Sequence, residues 1–172
     1  MNRTGNIFAV KPFSLHDGPS LRTTVFFKGC PLKCRWCHNP EGISFSPSVV
    51  SVVEKCVGCG ECVQGCSNGA LTLNDEVVQR DIERCIFCLQ CVELCPALVH
   101  EPVGYRVDVE EVIAVIKKDI PFYDESGGGV TFSGGEPLAQ PEFLLALLDA
   151  CAHLSILRTV DTSAYASPEI LL

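Results

Sequence analysis

Short apolar runs bounded by turn residues predict three strands in the outer parts of the chain. Residues 21–28 (LRTTVFFK) form the first run and lead directly into a cysteine-rich loop. Residues 129–132 lie between glycine clusters and form the second, and residues 156–161 form the third. We expect all three to be strands of one sheet.

A predicted helix follows each predicted strand along the chain. Apolar residues at 109, 112, 113 and 116 predict a helix over 109–119. Residues 141–154 open with a proline at a helix start and continue as an apolar helix. Ser167, Pro168 and Glu169 predict the start of a further helix. This alternation of strands and helices is typical of a parallel α/β sheet.

Composition and charge exclude several classes of protein. The 172 residues carry 13 Lys and Arg against 21 Asp and Glu, a net charge of −8, and show no basic stripe. Binding to a nucleic-acid backbone is therefore not expected. The first 20 residues have no apolar region typical of a signal peptide, and the longest apolar run, 143–148, is too short to span a bilayer. We expect a cytoplasmic protein, where cysteines bind metal or take part in chemistry.

Eleven of the twelve cysteines fall into three groups. The groups are Cys30, Cys34 and Cys37; Cys56, Cys59, Cys62 and Cys66; and Cys85, Cys88, Cys91 and Cys95. The second and third share the pattern C-x2-C-x2-C-x3-C and start 29 residues apart, which is an internal repeat. Three domains follow: 1–49, which carries the first group, 50–101, which carries the repeat, and 102–172. Cys151 is predicted to be a buried thiol, and His16, His100 and His153 to be surface or packing residues.

The repeated pattern is the one found in bacterial ferredoxins, whose fourth cysteine binds the other cluster. It predicts two [4Fe–4S] clusters. One would use Cys56, Cys59, Cys62 and Cys95, and the other Cys85, Cys88, Cys91 and Cys66. Gly58, Gly60 and Gly65 suit a backbone that wraps closely around a cluster. Zinc would need two C-x2-C pairs at each site, and disulfides do not suit a reducing compartment.

The first cysteine group differs because it supplies three thiolates and no nearby fourth. A cluster held by Cys30, Cys34 and Cys37 leaves one iron open, which is typical of a catalytic metal site. Residues 133–137 (SGGEP) follow the second predicted strand. Glycines there permit close approach of the backbone to a ligand, and Glu136 is suited to pair with an ammonium group.

Together these motifs resemble those of the radical S-adenosylmethionine (SAM) superfamily, specifically the activating enzymes of glycyl-radical enzymes, such as pyruvate formate-lyase activating enzyme. The resemblance lies in residues 16–42 (HDGPSLRTTVFFKGCPLKCRWCHNPEG), 126–143 (SGGGVTFSGGEPLAQPEF) and 160–167 (VDTSAYAS). The two-cluster insertion resembles a subgroup with a ferredoxin-like domain. The implied fold is α/β, a partial (β/α) TIM-like barrel with an inserted ferredoxin-like domain. Since residues outside the insertion number about half of a roughly 250-residue barrel, we expect a truncated chain that does not carry the full activity alone.

The resemblance also implies roles for individual residues. Cys30, Cys34 and Cys37 would hold the catalytic cluster, whose open iron binds the amine and carboxylate of SAM. The remaining implied SAM contacts are Trp36, His38 and Asn39 around the adenine and ribose, Gly134, Gly135 and Glu136 at the methionyl amine, and Asp161, Thr162 and Ser163 in the same pocket. Asp17 would lie near the mouth of the site. Ser20 and Ala164 stand where the family usually has glycine.

The implied function is an oxidoreductase reaction of anaerobic metabolism. Reductive cleavage of SAM would give a 5′-deoxyadenosyl radical that removes a hydrogen atom from a glycine of a partner enzyme. The implied cofactors are SAM and three [4Fe–4S] clusters, with flavodoxin or ferredoxin as the reductant and no membrane or nucleic-acid partner. Two alternatives use fewer of the motifs: a ferredoxin-type electron carrier without SAM chemistry, and a zinc-binding interaction module.

Overall fold

The computed structural model describes residues 4–171, which divide into two compact units. The sheet unit is formed by Met1–Ser46 and Gly104–Leu172, and the repeat unit by Pro47–Val103. The strands are β1 (Thr4–Ser14), β2 (Arg22–Phe27), β3 (Ser48–Ser51), β4 (Leu71–Asn74), β5 (Val77–Arg80), β6 (His100–Val103), β7 (Tyr105–Asp108), β8 (Gly129–Gly134) and β9 (Leu157–Val160). The α-helices are α1 (Glu61–Gln64), α2 (Gln90–Leu94), α3 (Val109–Ile116), α4 (Ile120–Ser126), α5 (Pro141–His153) and α6 (Pro168–Leu171). Short 3-10 helices cover Pro40–Gly42, Val53–Lys55, Lys117–Asp119 and Pro137–Ala139.

The three predicted strands are confirmed as β2, β8 and β9, and the predicted helices as α3, α5 and α6. Helix α3 begins with a capping box. The Asp108 carboxylate accepts the N–H of Glu111 at 2.8 Å, and the Asp108 N–H donates to the Glu111 carboxylate at 2.9 Å. The helix is shorter than predicted, because the backbone tightens into a 3-10 turn after Ile116 and then continues as α4.

The sheet unit contains one five-stranded sheet in the order β7-β1-β2-β8-β9. Strands β2, β8 and β9 are parallel, as expected, whereas β1 pairs antiparallel with both β2 and β7. The sheet is therefore mixed, and the prediction of a parallel sheet holds for β2, β8 and β9 only. Only residues 15–21 connect β1 to β2, and a parallel crossover needs a dozen or more. The sheet is open, with β7 and β9 at its edges, so the TIM-like barrel stays a prediction.

The two faces of the parallel strands have different characters. Val25 and Phe27 of β2 and Phe132 of β8 face the apolar core, where they pack with side chains of α5 such as Phe143. The alternate positions of the same strands carry Thr24, Thr131 and Ser133, which are also buried. Because side chains alternate along a strand, the helices cover the apolar face and the polar residues share the other one.

The connection between β1 and β2 folds over this polar face. The Asp17 carboxylate accepts the Thr24 hydroxyl at 2.7 Å, and its carbonyl accepts the Thr131 hydroxyl at 2.6 Å. Thr24 and Thr131 are neighbours across β2 and β8. Arg22, which is fully buried, donates to Thr131 and to the Val130 carbonyl, each at 2.6 Å. The start of β2 is therefore fastened to β8 by polar contacts.

The repeat unit contains two small sheets, β3-β6 and β4-β5, and the short helices α1 and α2. Positions 29 residues apart have matching conformations. Left-handed backbones occur at Gly58, Gly60 and Gly69 in the first repeat and at Phe87, Leu89 and Leu98 in the second. The second repeat therefore adopts, with ordinary side chains, turns that glycine forms without strain.

No helix within residues 4–171 has the length and apolar character needed to cross a membrane.

Candidate functional site

The three-cysteine loop begins where β2 ends and is closed at its base by backbone hydrogen bonds. The N–H of Gly29 donates to the Gly42 carbonyl at 2.7 Å, and the N–H of Cys30 donates to the Ile43 carbonyl at 3.0 Å. Inside the loop the N–H of Cys37 donates to the Cys34 carbonyl at 3.2 Å. Cys30 and Cys37 are half-buried and Cys34 is exposed. One loop therefore carries three thiols at the carboxyl end of a parallel strand.

Residues 133–136 lie directly beside the base of this loop. Phe27 and Gly134 are neighbours across β2 and β8. Beyond them, the N–H of Gly135 donates to the Phe27 carbonyl and the N–H of Glu136 to the Gly29 carbonyl, both at 2.8 Å. The sequence motifs around Cys30 and Glu136, which are about one hundred residues apart, thus meet at the edge of the sheet where the parallel strands have their carboxyl ends.

Both glycines of this segment are required by its packing. Gly134 has a φ of +105°, a conformation that side chains rarely adopt. A Cβ on Gly135 would lie 2.5 Å from the carbonyl oxygen of Gly29 and 2.7 Å from that of Gly42. The close approach that these glycines permit is therefore to the backbone at the base of the cysteine loop.

Glu136 is fully buried, and its carboxylate accepts four hydrogen bonds from the protein. One oxygen accepts the Leu138 N–H at 3.0 Å and the Thr162 hydroxyl at 2.6 Å. The other accepts the N–H of Ser163 at 2.9 Å and its hydroxyl at 2.6 Å. Burial alone would raise the pKa of Glu136, but the hydrogen bonds from Ser163, Thr162 and the backbone outweigh it, and the pKa is lowered. Glu136 is therefore an ionised link between the ends of β8 and β9.

The residues after β9 complete this edge of the sheet. The Asp161 carboxylate accepts the Ser133 hydroxyl at 2.7 Å, and its N–H donates to the Phe132 carbonyl at 2.9 Å. Ala164, two residues after Thr162, has a φ of +56°. Ser20 likewise has a φ of +64°. Both positions at which the resemblance led us to expect glycine therefore have a left-handed backbone, which explains why glycine would suit them.

The other residues expected around SAM lie on the cysteine loop and are more exposed. Trp36 is 84% exposed, and His38 is also exposed. Asn39 is half-buried, and its carbonyl accepts the Gly42 N–H at 2.9 Å. Their contact with SAM stays a prediction.

Sequence reasoning missed two residues that support this edge. The Gln140 side chain bonds both the N–H and the carbonyl of Asn6, each at 2.8 Å, and donates to the Lys28 carbonyl at 2.9 Å. Lys28 is fully buried and its ammonium donates to the Glu41 carbonyl at 2.7 Å. A lysine at the end of an apolar strand was the only signal for this role in the sequence.

In the repeat unit, two cavities are lined by cysteines. The first is lined by Cys56, Cys59, Cys62 and Cys95, and the second by Cys66, Cys85, Cys88 and Cys91. These are the two sets that the spacing pairs, each with its fourth cysteine from the other repeat. The N–H groups of Ala70 and Val99 donate to the sulfurs of the fourth cysteines, Cys66 and Cys95, both at 3.3 Å. In both repeats, therefore, the sulfur of the fourth cysteine accepts a backbone N–H from the residue four positions later.

Gly65 was expected to let the backbone wrap closely around a cluster, but its packing gives a different reason for a glycine at this position. A Cβ there would lie 2.1 Å from the Leu94 side chain. Leu94 occupies the matching position 29 residues later. The two repeats thus pack a glycine against a leucine at this point.

A polar network borders both cavities. The Arg80 guanidinium donates to the sulfurs of Cys85 and Cys91, both at 3.4 Å, and to Nδ1 of His100 at 3.0 Å. Ser51 bonds the same nitrogen at 3.0 Å. Arg80 lines the second cavity and His100 the first. His100 is buried, as expected of a packing residue, but it belongs to a hydrogen-bonded network that the spacing of histidines gave no reason to expect.

The chemistry of these cavities fits iron–sulfur clusters. Each offers four thiols in a largely apolar enclosure, with N–H donors aimed at sulfur, the usual surroundings of such clusters. Within residues 4–171 no three His, Cys, Asp or Glu side chains are grouped to hold one metal ion. A cluster does not need such a group, because its four thiolates bind four different irons.

Both units of the structure are similar in sequence to known proteins. Residues 55–99, which contain all eight cysteines of the repeat, match the family model of the 4Fe-4S dicluster domain. The whole chain is 40% identical to the choline trimethylamine-lyase activating enzyme of Oleidesulfovibrio alaskensis, over 56% of that protein. It is 45% identical over 91% of its length to the trans-4-hydroxy-L-proline dehydratase activating enzyme of Clostridioides difficile, covering 52% of that protein.

A third relative is the 4-hydroxyphenylacetate decarboxylase activating enzyme of Clostridium scatologenes, 35% identical over the whole chain and 57% of that protein. The homologues of this chain are activating enzymes of glycyl-radical enzymes. The chain spans about half the length of these curated relatives. The similarity to the activating enzymes includes both units of the structure, since it extends over 91% or more of the chain.

Proposed function

We propose that the protein activates a glycyl-radical enzyme by radical SAM chemistry, with the catalytic cluster held by Cys30, Cys34 and Cys37. The observation that carries this proposal is the hydrogen bond between the Glu136 N–H and the Gly29 carbonyl, which joins the SGGEP segment to the base of the cysteine loop. Ligands of open α/β sheets bind at the carboxyl ends of the parallel strands, and all three parallel strands end here. The activating enzymes among the relatives support the proposal over a ferredoxin-type carrier.

Within this site the chain's own residues bind and orient SAM. Gly134 and Gly135 keep the backbone close to the cysteine loop, so their carbonyl groups are available to a methionyl amine beside the cluster. The buried carboxylate of Glu136 adds negative potential for that amine and holds Thr162 and Ser163 in place. Asp161 offers a further carboxylate, and Trp36, His38 and Asn39 lie on the loop that would border the adenosine.

When bound, the reduced cluster and SAM supply radical chemistry that removes a hydrogen atom from a glycine of the partner enzyme. The protein's contribution would be to hold the cluster by three thiolates on one loop, so that one iron has no protein ligand, and to orient the sulfonium of SAM. Cys34, the exposed member of the three, lies on the solvent side of the loop. We further propose that the open sheet is part of a partial TIM-like barrel.

The repeat unit is proposed to hold two further [4Fe–4S] clusters, which brings the total to three. The two cysteine-lined cavities support this assignment, and so does the match to a dicluster domain. Such clusters are suited to pass electrons from a flavodoxin or ferredoxin reductant. A reducing cytoplasm fits a chain with this many thiols.

The proposal is tested by isolating the protein anaerobically together with a glycyl-radical enzyme from the same cells. Mixing the two with SAM and a reductant should produce the EPR doublet of a glycyl radical. The Cys34→Ala variant is the matched control and should give no doublet. A wild-type preparation with full iron content that cleaves SAM but generates no glycyl radical in any such partner would overturn the choice of substrate.

A further inference from the structure

Arg80 is placed to act on one of the two cavities of the repeat unit. Two of its guanidinium nitrogens donate to the sulfurs of Cys85 and Cys91. The guanidinium is planar and always charged, so these are charge-assisted hydrogen bonds with two sulfurs of one set. This part of the inference rests on the two-cluster assignment proposed above.

The hydrogen bond from Arg80 fixes the form of His100. An arginine nitrogen only donates, so Nδ1 of His100 accepts at 3.0 Å and carries no proton. The Ser51 hydroxyl donates to the same atom. In a neutral imidazole the proton then lies on Nε2. His100 is therefore a donor on the side opposite Arg80.

The second nitrogen of His100 has no partner within the described part of the chain, although the residue is 98% buried. A buried donor without a partner destabilises the protein. His100 lines the cavity bounded by Cys56, Cys59, Cys62 and Cys95. A thiolate or sulfide of a cluster in that cavity would satisfy it.

We propose that Arg80 and His100 form a hydrogen-bonded bridge between the two clusters of the repeat unit and raise the reduction potentials of both. Arg80 donates to two sulfurs of the second cluster and carries a positive charge. His100 donates one neutral N–H to the first. Hydrogen bonds to sulfur stabilise the more negative, reduced cluster, so each raises the potential of its own cluster. Arg80 has the larger effect because it also brings charge.

The experiment is an EPR-monitored redox titration of the full chain. The Cys30→Ala, Cys34→Ala and Cys37→Ala substitutions are combined so that only the clusters of the repeat unit contribute, and the unsubstituted protein is titrated in parallel. Iron and sulfide analysis comes first and should give about eight irons. A preparation with about four irons or fewer contradicts the two-cluster assignment itself, independently of the bridge.

Two variants then test the bridge. Arg80→Gln should lower the reduction potential of the second cluster. At a fixed applied potential its ratio of reduced to oxidised form should fall about tenfold, which equals a shift of about 59 mV for a one-electron couple. Arg80→Lys keeps the charge and should recover part of this shift. His100→Leu should lower the potential of the first cluster by less. Arg84→Gln, which removes an exposed positive charge next to Cys85, is the matched control. It should shift the potential of the second cluster much less than Arg80→Gln does, because solvent screens that charge.

The bridge is also tested without any substitution in it. Protein labelled with 15N-histidine, in the background without the three catalytic cysteines, is reduced and measured by pulsed EPR. We expect a 15N coupling to the spin of the first cluster. Unchanged potentials in Arg80→Gln, or no 15N coupling in a protein with about eight irons, would overturn the inference. If Arg80→Gln or His100→Leu loses iron, the bridge is tested by the reduction potential of Arg80→Lys and by the 15N coupling in the labelled protein.

Discussion

Glu136 and Ser163 are joined by two hydrogen bonds to one carboxylate oxygen, from the Ser163 N–H at 2.9 Å and its hydroxyl at 2.6 Å. These bonds connect the SGGEP segment to the residues that follow β9. Because Glu136 is also bonded through its own N–H to the base of the cysteine loop, one residue connects three parts of the candidate site. This arrangement makes Glu136 a positioning residue as much as a candidate ligand for an amine.

Glu136→Gln should lower the free energy of unfolding by about 2–3 kcal/mol at neutral pH, because an amide NH2 would face the donors of Ser163 or Thr162. The pKa of Glu136 lies below its ordinary value of 4.5, so its contribution is fully present above that value and is lost as the pH falls through the folded pKa. Anaerobic unfolding in guanidinium chloride should therefore show a constant difference between variant and wild type from pH 8 to pH 6. Glu125→Gln, on an exposed face of α4, is the control. A difference that shrinks over this range would mean that the pKa is raised.

Gly135→Ala should displace the SGGEP segment from the cysteine loop, since its Cβ would meet two backbone oxygens at 2.5 and 2.7 Å. We expect a loss of about 1–3 kcal/mol in unfolding free energy and a weaker response to SAM of the EPR signal from the proposed cluster at Cys30, Cys34 and Cys37. Gly127→Ala is the matched control because its Cβ would meet open space and its cost is conformational only. Equal SAM responses in the two variants would contradict the close backbone packing described here.

Leu98→Gly should stabilise the repeat unit. Leu98 has a φ of +51° and a side chain that is 67% exposed, so glycine relieves strain and sacrifices little packing. We expect a gain of about 0.5–1 kcal/mol after the added flexibility of the unfolded chain is counted. The reverse change at the matching position, Gly69→Leu, should destabilise by a similar amount. The readout is the rate at which the iron–sulfur absorbance is lost in guanidinium chloride without oxygen, and faster loss in Leu98→Gly would refute the prediction.

Cys34→Ala and Cys151→Ala should differ in iron content although each removes one thiol. The first should reduce the iron from about twelve to about eight per chain, since it removes a ligand of the proposed catalytic cluster. The second should keep about twelve irons and lower the stability only, because Cys151 is fully buried in the core of the sheet unit. Burial raises the pKa of the Cys151 thiol to about 11, so it stays neutral at physiological pH. Equal iron contents in the two variants would contradict the assignment of Cys34.

Much of this site was predictable from the sequence, because its motifs are local and its strands are short apolar runs. Strands β2, β8 and β9 follow from such runs, and their parallel order brings Cys30, Glu136 and Asp161 to one edge. The cysteine sets of the repeat unit follow from a spacing that matches the bacterial ferredoxin pattern. Strand β1 was missed, and with it the antiparallel edge of the sheet.

The parts that could not be predicted depend on contacts between distant residues. Nothing local marks Glu136 as an acceptor for Thr162 and Ser163, or Gly135 as a neighbour of Gly29 and Gly42. The Arg80–His100 contact joins residues 20 positions apart on different strands, and neither belongs to the cysteine pattern. Pairing of this kind is set by the folded sheet, whereas ligand spacing is set by a single turn of the backbone.

We expect the proposed cluster at Cys30, Cys34 and Cys37 to bind and cleave SAM. The direct measurement is the 5′-deoxyadenosine released when the reconstituted protein is mixed with SAM and a reductant without oxygen. We expect release by the wild type, none by Cys34→Ala, and release near the wild-type level by Cys151→Ala. A fully loaded wild-type protein that releases no 5′-deoxyadenosine would contradict the claim.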